Sequence, residues 1–532
     1  MIIESLNNHY KSEVLRGNPL YPPQGMESKR IHFIVVISDD GLLLDIEERE
    51  GNINVVKSRS RGGKDAPSIA NYMWDSLGYV TGHSLPNDNE KQQKRVEIQH
   101  CSFREEVLIA YTAHPDNRTF KAVRNFYYKG IEQLHAHPLW SKISSKIGHN
   151  ITFRLIGEER TAAEQPELIT PSMGGTQSCL VSGEKANIAR LHPKVYIAGA
   201  AGVGAKLISF SPALGYDSYG KRGGDNAPIS LDIAEGYAAA ITAMRQIGSG
   251  HNVVIGDVTF LFFTDNESDF NAAFYSLFQS NTTDLTQYRE SNEIFNIIAL
   301  VPNVARISPR LQIKTTIGNV VKNIEYLYEY LEPKTSLISP LLAIAPYSDI
   351  KYLSPQFIVD YMEAILMAKP LPKQILPMLL RPKTYHPVIE SMLRYYLTET
   401  IKTPTPMALD RDYTNTGYLL GRMLAVVERA QRASQPNISF TVKDALYSTL
   451  SVTPAAIFNR LFSLSNGYFR RIPTQGTTVY LKSIFGEVTD KISTDGVPMR
   501  LSLEDQSRFA LGYQHQNRSF YTKKEESNEQ DS

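Results

Sequence analysis

The change in apolar periodicity near residue 320 constrains the fold of this chain more than any other feature. Beyond it, apolar residues recur at helical spacing in one segment after another, as in KNIEYLYEYLEP and TGYLLGRMLAVVERAQRA. Short connections separate these segments, which is typical of a helical bundle. We therefore predict that the carboxy-terminal portion is an all-α helical bundle.

The amino-terminal portion alternates between strand-like and helix-like segments. IHFIVVIS at Ile31–Ser38 precedes an Asp-Gly turn and LLLDIEE, which together predict a β-hairpin. Periodic segments predict helices over about 91–113, 120–135 and 226–248, and the runs VTFLFF and FNIIALV predict strands. The fold class predicted for the whole chain is therefore α+β, with a mixed β-sheet and helix amino-terminal portion before the helical bundle.

These patterns divide the chain into four parts. We predict a mixed α/β region over residues 1–320, a helical linker region over 321–400 and a helical bundle over 401–524. The tail KKEESNEQDS carries charges and has no apolar anchor. We therefore expect residues 525–532 to be disordered.

Composition narrows the classes of protein that the chain can belong to. Its formal net charge is +1, so a nucleic-acid role would have to depend on local basic patches. Cys101 and Cys179 lie far apart, which predicts neither a disulfide framework nor a zinc site. The first residues, MIIESLNNHYKSEV, lack the apolar core of a signal peptide, and the apolar runs are strand-length. We expect a soluble cytoplasmic protein that does not contact a membrane.

A glycine-rich segment beginning at Gly199, GAAGVGAKLISF, has the general look of a nucleotide-binding loop. A phosphate-gripping loop needs G-x-x-x-x-G-K-[ST] between a strand and a helix. Here Ala205 follows the second glycine, Lys206 arrives one place late, and LISF favours a strand. A nucleotide-hydrolysing site is therefore disfavoured. Two interpretations remain: a plain hairpin, or a loop whose bare backbone approaches a large ligand.

Basic residues surround this glycine loop. They are Lys185, Arg190, His192, Lys194, Lys206, Lys221 and Arg222. A basic cluster around glycine loops suits the backbone phosphates of DNA or RNA. A solvated protein surface explains the same composition equally well.

A second basic segment, KSRSRGGKDAPSIANYMW, runs from Lys57 to Trp74. It places cations, glycines and ring or amide side chains close together: Lys57, Arg59, Arg61, Lys64, Gly62, Gly63, Asn71, Tyr72 and Trp74. Long cations can position a duplex, Asn and Lys can contact base edges, and an aromatic ring can stack. An ordinary surface loop is the alternative.

Signatures of catalysis are weak along the chain. The acids of GDVTFLFFTDNESD could form a magnesium site in principle, but DNESD is more simply a polar turn that closes a strand. H-E-x-x-H, G-x-S-x-G and paired cysteine ligands do not occur in the sequence. We therefore expect no enzymatic activity, no metal and no cofactor. A metal-dependent nuclease that uses Asp257 and Asp265 stays as an alternative.

Arginines at positions 422, 429 and 432 fall at i, i+7 and i+10 of a predicted helix, near one face. A basic stripe of this kind can carry a nucleic-acid single strand by its phosphates. Ordinary amphipathic helices show the same spacing, so the pattern alone does not decide between the two.

Five segments, read in order, share the pattern of one protein family. They are CLVSGEKANIARLHPKV, GAKLISFS with YDSYGKRGGDNAPIS, IIALVPNVARIS, ALDRDYTNTGYLLGRMLAVVERAQ and LSLEDQSRFALGYQHQNRSFYTKK. With IANYMWDSLGYVTG, where Ala70 replaces a common proline, they resemble the large subunit of the type I-C CRISPR Cascade complex. The resemblance runs from about residue 30 to residue 524.

This resemblance implies a non-catalytic DNA-recognition subunit. Such subunits read the protospacer-adjacent motif on double-stranded target DNA, help to unwind it, hold the displaced strand and recruit a separate helicase-nuclease. The guide RNA supplies most of the specificity. The implied partners are a crRNA-containing Cascade with backbone, crRNA-handle and small subunits, and the helical bundle resembles those small subunits. A purely structural assembly subunit, whose basic residues contact only proteins, is the alternative.

The resemblance also implies roles for residues in the amino-terminal portion. Motif reading would fall to Lys64, Asn71 and Lys94. The duplex backbone would meet the glycine loop and its basic neighbours, namely Gly202, Gly204, Lys206, Lys221 and Arg222.

In the carboxy-terminal portion, the resemblance implies that Arg422, Arg429 and Arg432 guide the displaced strand. In this family the last segment can also be made as a separate small protein from an internal start. Met407, just before ALDRDYTNTGYLLGR, is the natural candidate for that start.

Overall fold

Packing divides the chain into two compact units. The computed structural model describes residues 2–529 apart from 60, 62, 170–174, 201, 203, 211–218, 265, 267–268, 280–282, 332–334, 382–385 and 493–495, and it leaves the side chains of 63, 64 and 522–529 undescribed. The first unit comprises residues 1–196 and 201–249, and the second comprises 197–200 and 250–532.

A mixed sheet forms the centre of the first unit. Its strands are β2 Phe33–Ile37, β3 Leu43–Glu48, β5 Trp74–Ser76 and β6 Asn150–Leu155. Two small ribbons accompany it, one of β1 Met26–Arg30 with β4 Asn52–Val56 and one of β7 Gln177–Ser178 with β8 Lys185–Ala186. The sheet has the order β3-β2-β6-β5, with β2 antiparallel to β3 and parallel to β6. The hairpin predicted around the Asp-Gly turn is therefore confirmed. Its Gly41 has φ +81°, and a Cβ there would overlap the backbone of Phe126.

Helices supply most of the core around this sheet, whereas the first and the last of them pack against each other. They are α1 Ile2–Leu15, α2 Leu77–Thr81, α3 Glu90–Ala113, α4 Arg118–Lys129, α5 Ile131–Ala136, α6 Trp140–Ile143 and α7 Leu231–Met244. A reciprocal capping box of Asn89 and Gln92 starts α3, which begins within one residue of its predicted start. Phe103 of α3 and Phe126 of α4 are fully buried with Phe153 of β6. This packing fixes α3 and α4 against the sheet.

The second unit begins with an antiparallel meander. Its strands are β9 Asn252–Ile255, β10 Val258–Thr264, β11 Ile294–Asn303 and β12 Arg306–Thr316, in the order β12-β11-β10-β9. Helix α8 Phe270–Ser276 lies between β10 and β11. Helices α9 Ile317–Tyr330, α10 Ser339–Ile344, α11 Pro355–Leu366, α12 Ile375–Leu379 and α13 Pro387–Tyr395 follow the meander, and a π-helical turn, Tyr396–Thr400, extends α13. Every residue of β10 is buried, which matches its continuous apolar run.

A helical bundle completes the second unit. It contains α14 Thr416–Ser434, α15 Val442–Val452, α16 Phe458–Phe469, α17 Gln475–Asp490 and α18 Leu503–Glu529. The central helix is α14, which packs against all four others. Glycines bring α14 and α18 close: a Cβ at Gly421 would lie 2.0 Å from the carbonyl oxygen of Phe509, and one at Gly512 would lie 2.1 Å from that of Tyr418.

These elements confirm the predicted α+β class, because the described strands end at Thr316 and helices follow. The observed division at residue 250 follows packing, since the strands of the meander share one core with α9 and α11. The predicted region 1–320 therefore spans both units, and the limits of the predicted linker and bundle stay predictions. No helix within the described ranges has the length and apolar character to cross a bilayer.

The disorder that we predicted for the tail, residues 525–532, stays a prediction. The backbone of α18 continues as helix to Glu529, and residues 530–532 lie outside the described part. Lys and Glu are good helix formers, and the segment holds neither glycine nor proline, so the helix continues without apolar anchors.

Candidate nucleic-acid interface

The amino-proximal basic segment, residues 57–64, is held in place by ion pairs. Lys57 Nζ lies 2.6 Å from Glu235 Oε1 on α7, and Arg59 pairs with Glu106 on α3. Arg61 pairs with the buried carboxylate of Asp75 on β5. Each of these cations already has an acidic partner. Their ion pairs therefore hold the segment against the rest of the first unit and leave little charge for a phosphate.

Aromatic rings hold the two arginines of this segment further. The Arg59 guanidinium lies 5.3 Å from the ring centre of Tyr72, and that of Arg61 lies 4.1 Å from the ring centre of Tyr79. Arg61 Nε also donates to the carbonyl oxygen of Ile69, at 2.6 Å. Stacking and hydrogen bonding both restrict the reach of these side chains.

Asn71, predicted to contact bases, lies beneath this segment with 4% of its surface exposed. Its side-chain Oδ1 accepts a hydrogen bond from the backbone N–H of Arg59 at 3.0 Å. Its backbone N–H donates to Asp75 Oδ2 at 2.9 Å. In this conformation Asn71 presents no group to a base edge. Its side chain instead sets the path of the segment on either side of it.

The other two predicted motif-reading residues lie on elements that contact each other. Lys64 belongs to a 3-10 turn, Gly63–Ser68, and its side chain lies outside the described part. Ser102 of α3 donates to the carbonyl oxygen of Pro67 at 3.2 Å, which anchors the turn on that helix. Lys94 is exposed near the start of α3, 2.7 Å from Glu90 one turn earlier. An exposed pair of this kind is weak, so Lys94 can exchange Glu90 for a phosphate or a base.

A second group of cations, which we call the basic cluster, has a different environment. It consists of Arg190, Lys194, Lys206, Lys221 and Arg222. None of the five forms an ion pair with a residue that the structure describes. Four are exposed and Lys206 is half-buried.

Short backbone contacts bring the members of the basic cluster together. Val195 and Ala205 exchange both backbone hydrogen bonds, at 2.8 and 2.9 Å, so the residues flanking them, Lys194 and Lys206, lie side by side. The Gly224 amide donates to the Arg190 carbonyl oxygen at 3.1 Å, which places Arg190 beside the start of the 3-10 turn that follows Arg222. Arg190 and Lys194 thus connect the glycine loop with the Lys221–Arg222 corner.

Lys194 and Lys206 repel each other. Burial lowers the pKa of Lys206, and the positive charge of Lys194 lowers it further. An anion placed between the two ammonium groups would remove that repulsion.

His192 lies buried two residues before Lys194 and is hydrogen-bonded to Tyr237 of α7. Its Nδ1 shares a hydrogen bond of 2.9 Å with the Tyr237 hydroxyl, and the two rings stack with centres 5.9 Å apart. Burial lowers the pKa of His192 to about 4, and Lys206 contributes to the shift. The imidazole is therefore neutral near pH 7, and it adds no charge to the cluster.

The two predicted glycines differ in their surroundings. Gly204 is buried with φ +80°, and a Cβ there would lie 3.2 Å from the Lys194 Cβ. Gly202 is exposed, and a Cβ there would meet nothing within 4 Å. Gly204 therefore shapes the turn, whereas Gly202 is bare backbone open to solvent. We predicted a strand on each side of this loop. Among the described residues, the structure has one isolated β-bridge there, between Val195 and Ala205.

The arginine stripe predicted on α14 is corrected by the structure. Arg422 is fully buried, with Nε donating to Gln516 Oε1 at 3.0 Å and Nη2 to Glu487 Oε1 at 2.9 Å. It holds the bundle together and cannot reach a displaced strand. Arg432 is exposed and pairs with Glu428 at 3.1 Å, and Arg429 lies 5.5 Å from the Tyr521 ring. Only these two arginines of the stripe lie near the surface.

The remaining predicted positions lie in the second unit. Asp257 is exposed in the two-residue turn between β9 and β10, whereas Asp265 lies outside the described residues. The described side chains include no group of three metal-ligating residues. Met407 is exposed ahead of α14, and its carbonyl oxygen accepts from Arg394 Nη1 at 2.6 Å.

Sequence reasoning named the cations but missed their partners. The acid that pairs with Lys57 lies 178 residues away along the chain. Arg190 and Lys194 were noted only as neighbours of the glycine loop, and no local pattern in the sequence shows that both are exposed.

Comparison with known protein families gives a match over nearly the whole chain. The model of a family described as CRISPR-associated protein (Cas_Csd1) matches residues 6–521, nearly the whole chain. No curated protein matches the chain at a significant level.

Proposed function

The chain belongs to the Cas_Csd1 family of CRISPR-associated proteins, and on that premise we propose that it is the non-catalytic large subunit of a type I-C Cascade surveillance complex. In this role it recognises the protospacer-adjacent motif, helps to unwind target DNA, stabilises the displaced strand and recruits the helicase-nuclease. It works with the crRNA, the backbone and crRNA-handle subunits and the small subunits, and base pairing with the crRNA supplies the remaining specificity.

The observation that carries this proposal is the basic cluster, whose five cations have no acidic partner among the described residues. Duplex DNA presents one negative charge about every 1.7 Å of its axis, and Lys and Arg neutralise it. Lys194 and Lys206 repel each other when no anion is present, so a DNA phosphate gains from both. Gly202 lies open beside them, which lets the protein backbone approach the duplex closely.

For motif reading we assign the 3-10 turn Gly63–Ser68 and the start of α3. Lys64 and Lys94 supply side chains that can contact base edges or phosphates. Asn71 acts by positioning: it holds the segment through the Arg59 amide. The displaced strand follows Arg429 and Arg432 of α14, and a separately translated bundle would begin at Met407.

Target binding by the assembled complex tests this proposal. With Lys194→Ala and Lys206→Ala together, we expect about tenfold weaker binding to a matched duplex, because two phosphate contacts are lost. Lys129→Ala, an exposed lysine at the end of α4, serves as the control and leaves the affinity unchanged. Equal affinities for all three complexes would remove the basic cluster from the DNA interface.

A further inference from the structure

A separate cavity of about 250 Å³ lies between α3 and α4 of the first unit. Cys101, Arg104, Glu105 and Leu108 line it from α3, at i, i+3, i+4 and i+7, so they share one helix face. Arg124 of α4 forms part of the opposite wall. The functions proposed above use none of these side chains.

Arg124 is the distinctive group in this cavity. Its guanidinium lies over two tyrosine rings, 4.9 Å from the centre of Tyr111 and 5.4 Å from that of Tyr128. Its Nε is buried and has no hydrogen-bond partner among the described residues. Buried polar groups in folded proteins are nearly always hydrogen-bonded. Stacking holds this guanidinium in place and leaves N–H groups without an acceptor in the described part of the chain. Such a group is suited to donate hydrogen bonds to a planar anion such as a carboxylate.

The charge balance of the cavity points to an anionic ligand. Arg104 is exposed on the facing helix, and neither it nor Arg124 forms an ion pair with a described residue. Glu105 is the one acid among the residues that line the cavity. Two arginines against one glutamate leave an excess of positive charge for a partner to neutralise.

Apolar side chains around the mouth indicate a protein ligand. Leu108 and Tyr128 are 49% and 66% exposed. Tyr and Arg are enriched where proteins bind each other, and exposed aliphatic groups give a phosphodiester chain nothing to bind. Glu105 would also repel a continuous run of phosphates more than a single carboxylate.

We propose that this cavity docks an acidic segment of a partner protein, with an Asp or Glu carboxylate on Arg124 and Arg104 and an apolar neighbour over Leu108. The inference rests on the proposed function in one respect, which is that the chain assembles with partner proteins. It does not involve the basic cluster or DNA.

Site-specific photo-crosslinking in the assembled complex tests this inference. A photoreactive phenylalanine analogue replaces Leu108, and the crosslinked species is identified by mass spectrometry. We expect a crosslink to one protein subunit, at a segment that contains Asp or Glu. Arg124→Glu lowers the yield at least about tenfold, because a carboxylate then faces a carboxylate. Lys121→Glu, the same charge reversal at an exposed position of α4, leaves the yield unchanged.

Charge exchange makes the test specific. Changing the crosslinked partner acid to Arg restores the crosslink to the Arg124→Glu subunit. Unchanged thermal melting of both α4 variants shows that the fold survives, and Arg124→Gln, which adds no negative charge, replaces Arg124→Glu if that variant melts early. A crosslink to crRNA or DNA, a yield indifferent to Arg124, or no protein crosslink overturns the inference. Target-DNA affinity, measured on the same samples, separately tests the proposed function.

Discussion

Two basic regions of the first unit have similar compositions and opposite environments. In the amino-proximal basic segment, Lys57, Arg59 and Arg61 each pair with an acid. In the basic cluster, five cations have no acidic partner among the described residues, and two of them repel each other. Basic residues near glycine therefore serve two purposes in one unit: the paired set fixes a loop, and the unpaired set is left to bind an anion.

The comparison predicts that substitutions in the paired set change stability, whereas substitutions in the unpaired set change DNA affinity. Where the acid is buried, as Asp75 is, removing its cation leaves a charge uncompensated, which is strongly destabilising. Removing an unpaired surface cation relieves repulsion, and it affects only ligands that the cation would bind. The predictions below test this distinction in order of decreasing effect.

Arg422, in the second unit, is also a cation with an acidic partner, so it belongs to the paired class. Its substitution should lower stability more than any of the substitutions that follow. Arg422→Ala removes the buried donor to Glu487 and Gln516 and opens a cavity in the bundle. We expect the free energy of unfolding to fall by about 4 kcal/mol. Arg432→Ala, on the same helix but exposed, should change it by less than about 1 kcal/mol. Thermal melting of the two variants measures the difference, and equal melting temperatures would place Arg422 outside the paired class.

Arg61→Ala should destabilise the first unit by about 3 kcal/mol, because Asp75 stays buried without its cation. Both tryptophans, Trp74 and Trp140, lie in the first unit, so their fluorescence during urea unfolding reports on it alone. If Arg61→Ala instead weakens target binding with stability intact, the segment belongs with the unpaired set.

His192 gives the first unit a dependence on pH. Its pKa is about 4 in the folded protein against 6.5 unfolded, so the unfolded chain binds more protons between these values. Stability is therefore fully present above pH 6.5 and is lost as the pH falls toward 4. We expect a loss of about 2 kcal/mol between pH 7 and pH 5. Urea unfolding at several pH values measures this loss, and His192→Phe should flatten the profile; an unchanged profile would show that His192 is not its source.

The two glycines of the loop should respond differently to a side chain. Gly202→Val meets open space, so we expect unchanged stability and about fivefold weaker target binding, roughly 1 kcal/mol. Gly204→Val is not a clean test, because its φ of +80° strains any branched residue. Reduced complex assembly with Gly202→Val would show that residue 202 serves packing.

Local patterns predicted much of the fold and less of the site. The β2–β3 hairpin, α3 and the helices after Thr316 follow from turn chemistry and periodicity within a few residues. The pairing of Lys57 with Glu235 depends on the tertiary fold, which no local window contains. The arginine stripe failed at Arg422 because α14 is the central helix of the bundle, where an inward arginine can find polar partners on α17 and α18.

The measurement that tests the account most directly is the salt dependence of target binding by the assembled complex. The slope of log affinity against log salt counts the phosphates that the protein neutralises, at about 0.9 per contact. We predict that Lys194→Ala with Lys206→Ala makes the slope shallower by about 1.8, twice that amount. Lys57→Ala with Arg59→Ala, which also removes two charges, should leave the slope unchanged. A shallower slope for the paired set and an unchanged slope for the basic cluster would contradict the account.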